Sequence, residues 1–443
     1  MTARSQLVAL ASLAVGLAVA CTTVLPPPSP TASAAVTPSP SAPSPAPATS
    51  APTPLVTEAP TDAPASSEPT PSPTPSPTPP PTPIPPVTVW TGPIVVSDNH
   101  YQEISLVVDD SGRVHAAGSL DRSIWYVTNR RGNWTRERLS DPPGSGSSAR
   151  TDIEPAIARD EDRFWVAFTR LGEEDTFGAL PEHVYHLSGR ANNWSDPQQY
   201  GPIFGNSPSI QVRNGNIHLA YLEGVPFDVV EDDAEFPLRY ATDQSGTWSD
   251  VVVSVNGTEP TLQLTSGGRA RIAFGDFINL LPGDGLRYAS AGSATGDFSV
   301  EMVPGTSGLD FPHSMSLDGE DGAHLVWGLE DGVGVHYAMR GAGGWSPPQA
   351  LMNDGSVASI ASAVDGNGAL HVVATTVSHG AWYFTNRHGA FESRELLPPP
   401  STGNWFRGSC DIAVDPSGRA HMLFIVGRNA GSTRLWYAAS PAV

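Results

Sequence analysis

The sequence predicts an all-β fold, a seven-bladed β-propeller of four-stranded antiparallel blades, and three observations carry that prediction. One four-strand phrase returns seven times past Val87, at intervals of 46 to 60 residues. The seventh copy lacks its fourth strand, while an extra strand-like stretch, Val87 to Asp98, precedes the first copy. No other part of the chain calls for a helix, and almost none is expected.

Each phrase reads as strand a, a tight polar turn, strand b often opening with His, a loop, strand c carrying Tyr, and a Gly turn before a Trp that opens strand d. Period-2 alternation bounded by Gly, Asn and Asp is the signature of short antiparallel strands. The first copy starts at Leu106, the second at Glu154, the third at Ser207 and the fourth at Glu259. The fifth starts at Met315, the sixth at Ser362 and the seventh at Asp411. A strand from the N-terminal stretch can complete the seventh sheet, which fastens the ring and removes a long exposed edge.

Upstream the composition is of another kind. Residues 1–20 hold one basic residue, Arg4, an apolar run from Leu7 to Ala20, and a small-residue tract directly before Cys21. That is a signal peptide, too short to span a membrane as a mature helix. Residues 21–87 carry Cys21 and then a Pro, Ser, Thr and Ala stretch containing 24 prolines, with nothing to form a core. At about 3.1 Å per residue of polyproline II, such a stalk reaches at most roughly 190 Å. The propeller domain then occupies residues 88–443.

Charge narrows the partners. The chain has no Lys, 24 Arg, 45 Asp plus Glu and a formal net charge of -21. Phosphate binding needs a basic surface, so a nucleic-acid partner is excluded. Two cysteines cannot make a disulfide framework, and Cys410 reads as a small buried residue. His115, His218, His324, His371 and His421 open strand b in different blades. Imidazoles so placed lie too far apart to share a metal ion at about 2 Å, and they read as structural. The repeated Trp and Tyr residues read as packing between sheets. Asn133-Trp134-Thr135, Asn193-Trp194-Ser195 and Asn256-Gly257-Thr258 match a glycosylation pattern but read as turn chemistry or chance.

Two resemblances follow from these residues. The small-residue tract ending in Cys21 resembles a bacterial lipobox, with Ala18 where the family prefers Leu; it implies a lipidated Cys21 and a bacterial envelope protein anchored to a membrane. The c-to-d turn Thr242-Asp243-Gln244-Ser245-Gly246-Thr247-Trp248 resembles the Asp-box, Ser-x-Asp-x-Gly-x-Thr-Trp, of the sialidase or BNR-repeat superfamily, with Ala in the Ser position and the pattern shifted. In that family the box stabilises a blade away from catalysis, and the usual ring has six blades, which is the alternative fold. A sialidase would also show an Arg-Ile-Pro motif, an arginine triad, a Tyr nucleophile with its Glu, and an Asp acid/base. The Arg-Ile-Pro motif is absent here.

In a propeller the d-to-a and b-to-c connections share one face, and the unusual lengths fall there: Arg170 to Glu182, Gly224 to Pro237 and Gly275 to Gly285. Glu103, Glu154 and Glu259 occupy equivalent positions before strand a and are expected to ring the channel mouth. Arg239 and Arg287 open strand c, while His313, Trp405 and Arg407 lie in d-to-a connections. Together they could line a polar pocket with an aromatic wall. Glu154 and Glu259 are the candidate catalytic pair for glycoside cleavage, which needs carboxylates about 5 to 10 Å apart. Arg239 and Arg287 could instead hold an anionic sugar. No cofactor is required; the run Glu231-Asp232-Asp233 with Glu235 could take Ca²⁺ through its oxygens.

The reading is a monomeric, lipid-anchored propeller that binds a glycan or other surface polymer. The alternatives are a sialidase-like exo-glycosidase and a protein-interaction platform in the envelope.

Overall fold

The computed structural model describes residues 89–142, 150–172, 182–201, 205–224, 236–278, 281–293, 296–307, 312–328, 334–376, 380–398, 408–427 and 433–442. These form seven antiparallel sheets and contain no helix. Blade 1 comprises Glu103–Val108, Val114–Leu120, Ser123–Thr128 and Thr135–Arg138. Blade 2 comprises Thr151–Asp160, Arg163–Leu171, Glu182–Arg190 and a fourth strand split into Asn193–Trp194 and Gln198–Gln199. Blade 3 is Gly205–Arg213, Asn216–Glu223, Leu238–Thr242 and Ser249–Ser254, and blade 4 is Thr258–Leu264, Ala270–Ile278, Leu281–Ser293 and Gly296–Met302.

Blade 5 comprises His313–Leu317, Ala323–Gly328, Val335–Gly341 and the split pair Gly344–Trp345 and Gln349–Met352. Blade 6 is Val357–Val364, Leu370–Thr376, Gly380–Thr385 and Glu392–Leu397. Blade 7 takes Cys410–Val414, Ala420–Val426 and Arg434–Ala439 from the C-terminus and its outer strand, Thr91–Ser97, from the N-terminal side. Thr91 pairs with Ala439 and Ile94 with Tyr437, so the expected closure is present and the six-bladed alternative is set aside.

Alternation puts one face of each sheet against the next blade, and seven apolar clusters result, one per seam. An aromatic pair bridges each seam as well. Strand-c rings Tyr437, Tyr126, Tyr240, Tyr288 and Tyr337 meet Trp134, Trp194, Phe298, Trp345 and Phe391 of the following blade at 5.2, 5.1, 5.3, 5.5 and 5.1 Å. In blade 2 His186 replaces the Tyr and meets Trp248 at 5.9 Å. The seventh contact is Tyr383 to Trp90, 5.2 Å apart, so the N-terminal stretch supplies both a strand and the missing ring.

The strand-b histidines have the structural role expected of them. In blades 1, 5, 6 and 7 the ring lies between a carboxylate of the a-to-b turn and the strand-c Tyr. His421 Nε2 is 3.1 Å from Asp415 and its Nδ1 is 2.8 Å from the Tyr437 hydroxyl. His324 bridges Asp318 and Tyr337 at 3.2 and 3.0 Å, and His371 bridges Asp365 and Tyr383 at 3.5 and 2.6 Å. His115 does the same for Asp109 and Tyr126. With Nε2–H donating to the carboxylate, Nδ1 accepts from the tyrosine, so a neutral imidazole satisfies all three groups. Burial depresses the His115, His324 and His371 imidazoles, which keeps them in that neutral form.

One local expectation changes and another gains its physical basis. On either side of residues 279–280, the segment Gly275 to Gly285 continues the backbone ladder rather than forming a long loop, with Phe277 opposite Pro282 and Ile278 opposite Leu281. The turn residue of the degenerate Asp-box, Asp243, accepts the Ile217 amide at 2.7 Å and ties the c-to-d turn to strand b. Asn129 and Asn386 do the same for Val114 and Leu370, each at 2.8 Å. A carboxylate or amide oxygen serves equally well, which is why the motif looks eroded in sequence.

Candidate functional site

The face that carries the b-to-c and d-to-a connections is built differently in blades 2, 3 and 4 from the rest. Near its start, strand a of these blades carries Glu154-Pro155, Ser207-Pro208 and Glu259-Pro260, with φ of 54°, 50° and 48° at the residue before Pro. Left-handed backbone in a residue with a Cβ is unfavourable, and a following Pro restricts it further. The ladder slips at each of these dipeptides, between Ile153 and Ala156, Asn206 and Ser209, and Thr258 and Thr261. These are β-bulges, devices that re-aim a strand end.

Carboxylates hold two of these bulges from the neighbouring blade. Glu103 accepts the Glu154 amide at 2.6 Å and the Ser119 hydroxyl at 3.3 Å. Glu154 in turn accepts the Ser207 amide at 2.7 Å and the Thr169 hydroxyl at 2.8 Å. The three equivalent glutamates thus include two links of a blade-to-blade chain, and their carboxylates face backbone amides of the next blade. Such charge-assisted bonds to N–H groups are among the stronger kinds.

Arginine–carboxylate pairs brace the strand ends of the same three blades. In blade 2 Arg170 grips Asp152 with two bonds of 2.6 and 2.7 Å, across directly paired positions of strands a and b. In blade 3 Arg239 pairs with Glu223 and, at 2.9 Å, with Asp250. Asp250 also accepts the hydroxyls of Tyr200 and Tyr221 at 3.1 and 2.5 Å. Burial, followed by the Asp250 charge, pushes Tyr200 above the ordinary tyrosine range. In blade 4 Arg287 donates to Asp276 at 3.1 and 2.6 Å.

His313 is buried at the start of strand a in blade 5, and burial pushes its imidazole down to about 4, against the effect of hydrogen bonds with the Ala273 and Glu259 backbone. It therefore packs on blade 4 as a neutral ring. Arg239 and Arg287 stand in separate blades, each held by carboxylates of its own sheet. Trp405, Arg407, the run Glu231 to Glu235, and Cys21 lie outside the described residues. Among the described residues no group of three His, Cys, Asp or Glu side chains is placed to hold a metal ion. Sequence reasoning passed over Asp152, Glu223, Asp250 and Asp276; the signal was present only as a carboxylate near the end of strand a, b or d, which becomes a partner once the register is known. Cys410 is buried, and burial pushes its thiol up to about 12.

No protein-family model matches the chain, and no curated protein matches it. Solved structures do share its fold. A protein of unknown function from Dyadobacter fermentans is 13% identical, with a TM-score of 0.51 over 81% of this chain and 100% of that one. Trypanosoma rangeli sialidase bound to the inhibitor DANA is 11% identical, with a TM-score of 0.46 over 77% of this chain and 55% of that chain. A Hadza microbial sialidase is 14% identical, with a TM-score of 0.46 over 67% of this chain and 66% of that one. This chain therefore spans about half the length of the trypanosomal chain. At such identities the likeness is one of fold.

Proposed function

We propose that the chain is a lipid-anchored, extracytoplasmic binding module that holds a glycan or another surface polymer on the face formed by blades 2, 3 and 4. The observation that carries this reading is the segregation of unfavourable features. Among the described residues, the positive-φ residues before Pro and the arginine–carboxylate pairs with both side chains largely buried fall in these three blades, beside the long connections after Leu171 and Glu223, whereas Arg138 with Asp141 and Arg434 with Asp98 are exposed pairs. Each left-handed residue costs on the order of 1 to 3 kcal/mol, and a buried ion pair is rarely more stable than an apolar one. Local conflicts of that kind gather where a surface must bind rather than merely pack.

Planar arginine forks beside carboxylates offer alternating donors and acceptors, which suits a hydroxyl-rich polymer. The engagement of Glu154 by Ser207 and Thr169 favours binding over hydrolysis, because a general acid or base must be able to reach its substrate. The signal segment, Cys21 and the Pro-rich stalk would set this face away from a membrane, and a Cys21→Ala variant is expected to leave the membrane fraction. Incubating the full chain on a glycan array and reading both retained protein and glycan mass tests the function. Retention over unaltered glycans is expected. Trimmed glycans would replace the reading with a glycoside hydrolase, and Glu154→Gln and Glu259→Gln would be its first variants. Absence of both signals would point to an envelope protein as partner.

A further inference from the structure

We infer that the cleft between the outer edges of blades 1 and 2 is a subsite for a neutral saccharide, held through adjacent hydroxyls; this deepens the glycan-binding reading and rests on it. The cleft has a volume of ≈ 340 Å³. That lies within the range of about 300 to 1,000 Å³ usual for small-ligand sites. It opens where the fourth strand of blade 2 is interrupted: Asn193–Trp194 and Gln198–Gln199 pair with strand c, and Asp196-Pro197 between them does not. Proline offers no N–H to the ladder, so the strand breaks at that point and leaves Asp196 and Pro197 as one wall.

Blade 1 supplies the opposite wall, with Arg138, Ser140 and Asp141. Arg138 donates to the Ser123 hydroxyl at 3.1 and 2.8 Å and pairs with Asp141 at 2.7 Å. Arg170 completes the lining and is only 9% exposed. It is held on three sides: Asp152, itself 0% exposed, takes two of its N–H groups, the Tyr185 ring lies 4.5 Å from the guanidinium carbon, and Phe168 lies 5.6 Å away. A guanidinium so fixed loses little freedom when it meets a ligand. An apolar pair in the same place would hold the two strands equally well, so stability alone does not account for the buried charges.

The balance of charge selects the ligand. Both arginines already have a carboxylate beside them, and Asp196 adds a further negative charge to the wall. A carboxylate- or sulfate-bearing sugar would meet that repulsion without an unpaired cation to offset it. A neutral sugar presents neighbouring hydroxyls, each donor and acceptor at once, to a wall on which guanidinium donors and carboxylate acceptors alternate.

The test uses the full chain on an array carrying neutral oligosaccharides, such as maltotriose and cellotriose, beside sialylated and uronate-containing ones. A double Asp141→Ala, Asp196→Ala variant changes only exposed side chains, and its melting temperature should match that of the unaltered protein. An Arg170→Met variant serves as the second probe, with its fold checked by circular dichroism. Retention of neutral saccharides that falls tenfold or more in the double variant is the expected result. Equal retention by the variant would overturn the subsite while leaving the glycan reading intact. Retention of acidic saccharides alone would overturn the neutral assignment. Failure to retain any glycan would overturn both.

Discussion

Blades 5, 6, 7 and 1 form one continuous arc of the ring, and blades 2, 3 and 4 the other. The two arcs share a strand plan and differ in where their polar groups sit. In the first arc every blade closes an Asp–His–Tyr network at the turn end, with acceptor and donor matched around a neutral imidazole. In the second arc that network is dismantled. Trp165 and Arg271 stand where blades 2 and 4 would have the His, and His218 in blade 3 meets Tyr240 at 2.6 Å without a carboxylate at its Nε2. The largely buried arginine–carboxylate pairs stand at the opposite end of these strands, as Asp152 with Arg170, Glu223 with Arg239, and Asp276 with Arg287, while the pairs at that end of blades 1 and 7 are exposed. One arc keeps its polar network at the turn end, the other is the arc proposed to present a binding face, and a repeat fold can be divided in this way because each blade touches only its neighbours.

The largest expected effect is on the closing seam of the first arc. Trp90→Ala removes the ring that meets Tyr383 and should lower unfolding stability by about 3 to 5 kcal/mol, read from chemical denaturation. Trp248→Ala, in the other arc, removes a ring that is 39% exposed and should cost no more than about 1 to 2 kcal/mol. Equal losses would erase the distinction between the arcs.

Next in size is His371→Ala, which strands Asp365 and the Tyr383 hydroxyl in a buried site and should cost about 2 to 3 kcal/mol. The same network sets an acid limit. Burial lowers the His115, His324 and His371 imidazoles below the ordinary value of 6.5, and that of His218 in the other arc to about 4, so the folded state binds fewer protons than the unfolded state between those values. Stability contributed by these rings is therefore complete above pH 6.5 and is lost as pH falls towards 4. Melting temperatures measured across that window should fall with acid.

Asp411 offers an opposite sign and sharpens the same comparison. It lies in strand a of blade 7, where its carboxylate accepts the Leu106 amide of blade 1 at 2.6 Å, and burial raises it to about 6 from 3.8. Serine makes the corresponding bridge from Ser105 to Ile157 and from Ser209 to Leu262. A raised carboxylate favours the folded state below pH 3.8 and loses that advantage as pH rises through 6. Asp411→Ser should therefore stabilise the protein at pH 7 by up to about 3 kcal/mol and have little effect near pH 3. A loss of stability at pH 7 would show that the ionised carboxylate is better solvated than its burial implies.

The smallest effect on stability is expected from Arg239→Ala. Its pairs with Glu223 and Asp250 are partly exposed, and their removal should cost about 1 kcal/mol or less while weakening glycan retention. A large loss of stability with unchanged retention would move Arg239 into the scaffold.

Much of the ring was legible because its signals are local. Asp109 and His115, Asp318 and His324, Asp365 and His371, and Asp415 and His421 each stand six residues apart within one hairpin. The missing strand of the seventh copy and the surplus one before the first could likewise be counted, although Trp90 as the seventh aromatic partner emerged only with the closed ring. The candidate face was legible as long connections and as glutamates at equivalent positions before strand a. What those residues do was not, because Glu154 acts on Ser207 of another blade, and Arg170 finds Asp152 only through cross-strand register. Such pairings depend on which residues stand opposite one another, and composition does not record it.

The division of the ring is tested most directly by hydrogen–deuterium exchange of the full chain, with and without the glycan retained on the array. Slowed exchange should be confined to blades 2, 3 and 4 and the facing edge of blade 1, with blades 5, 6 and 7 unchanged. Protection centred on blades 5 to 7 would contradict the account.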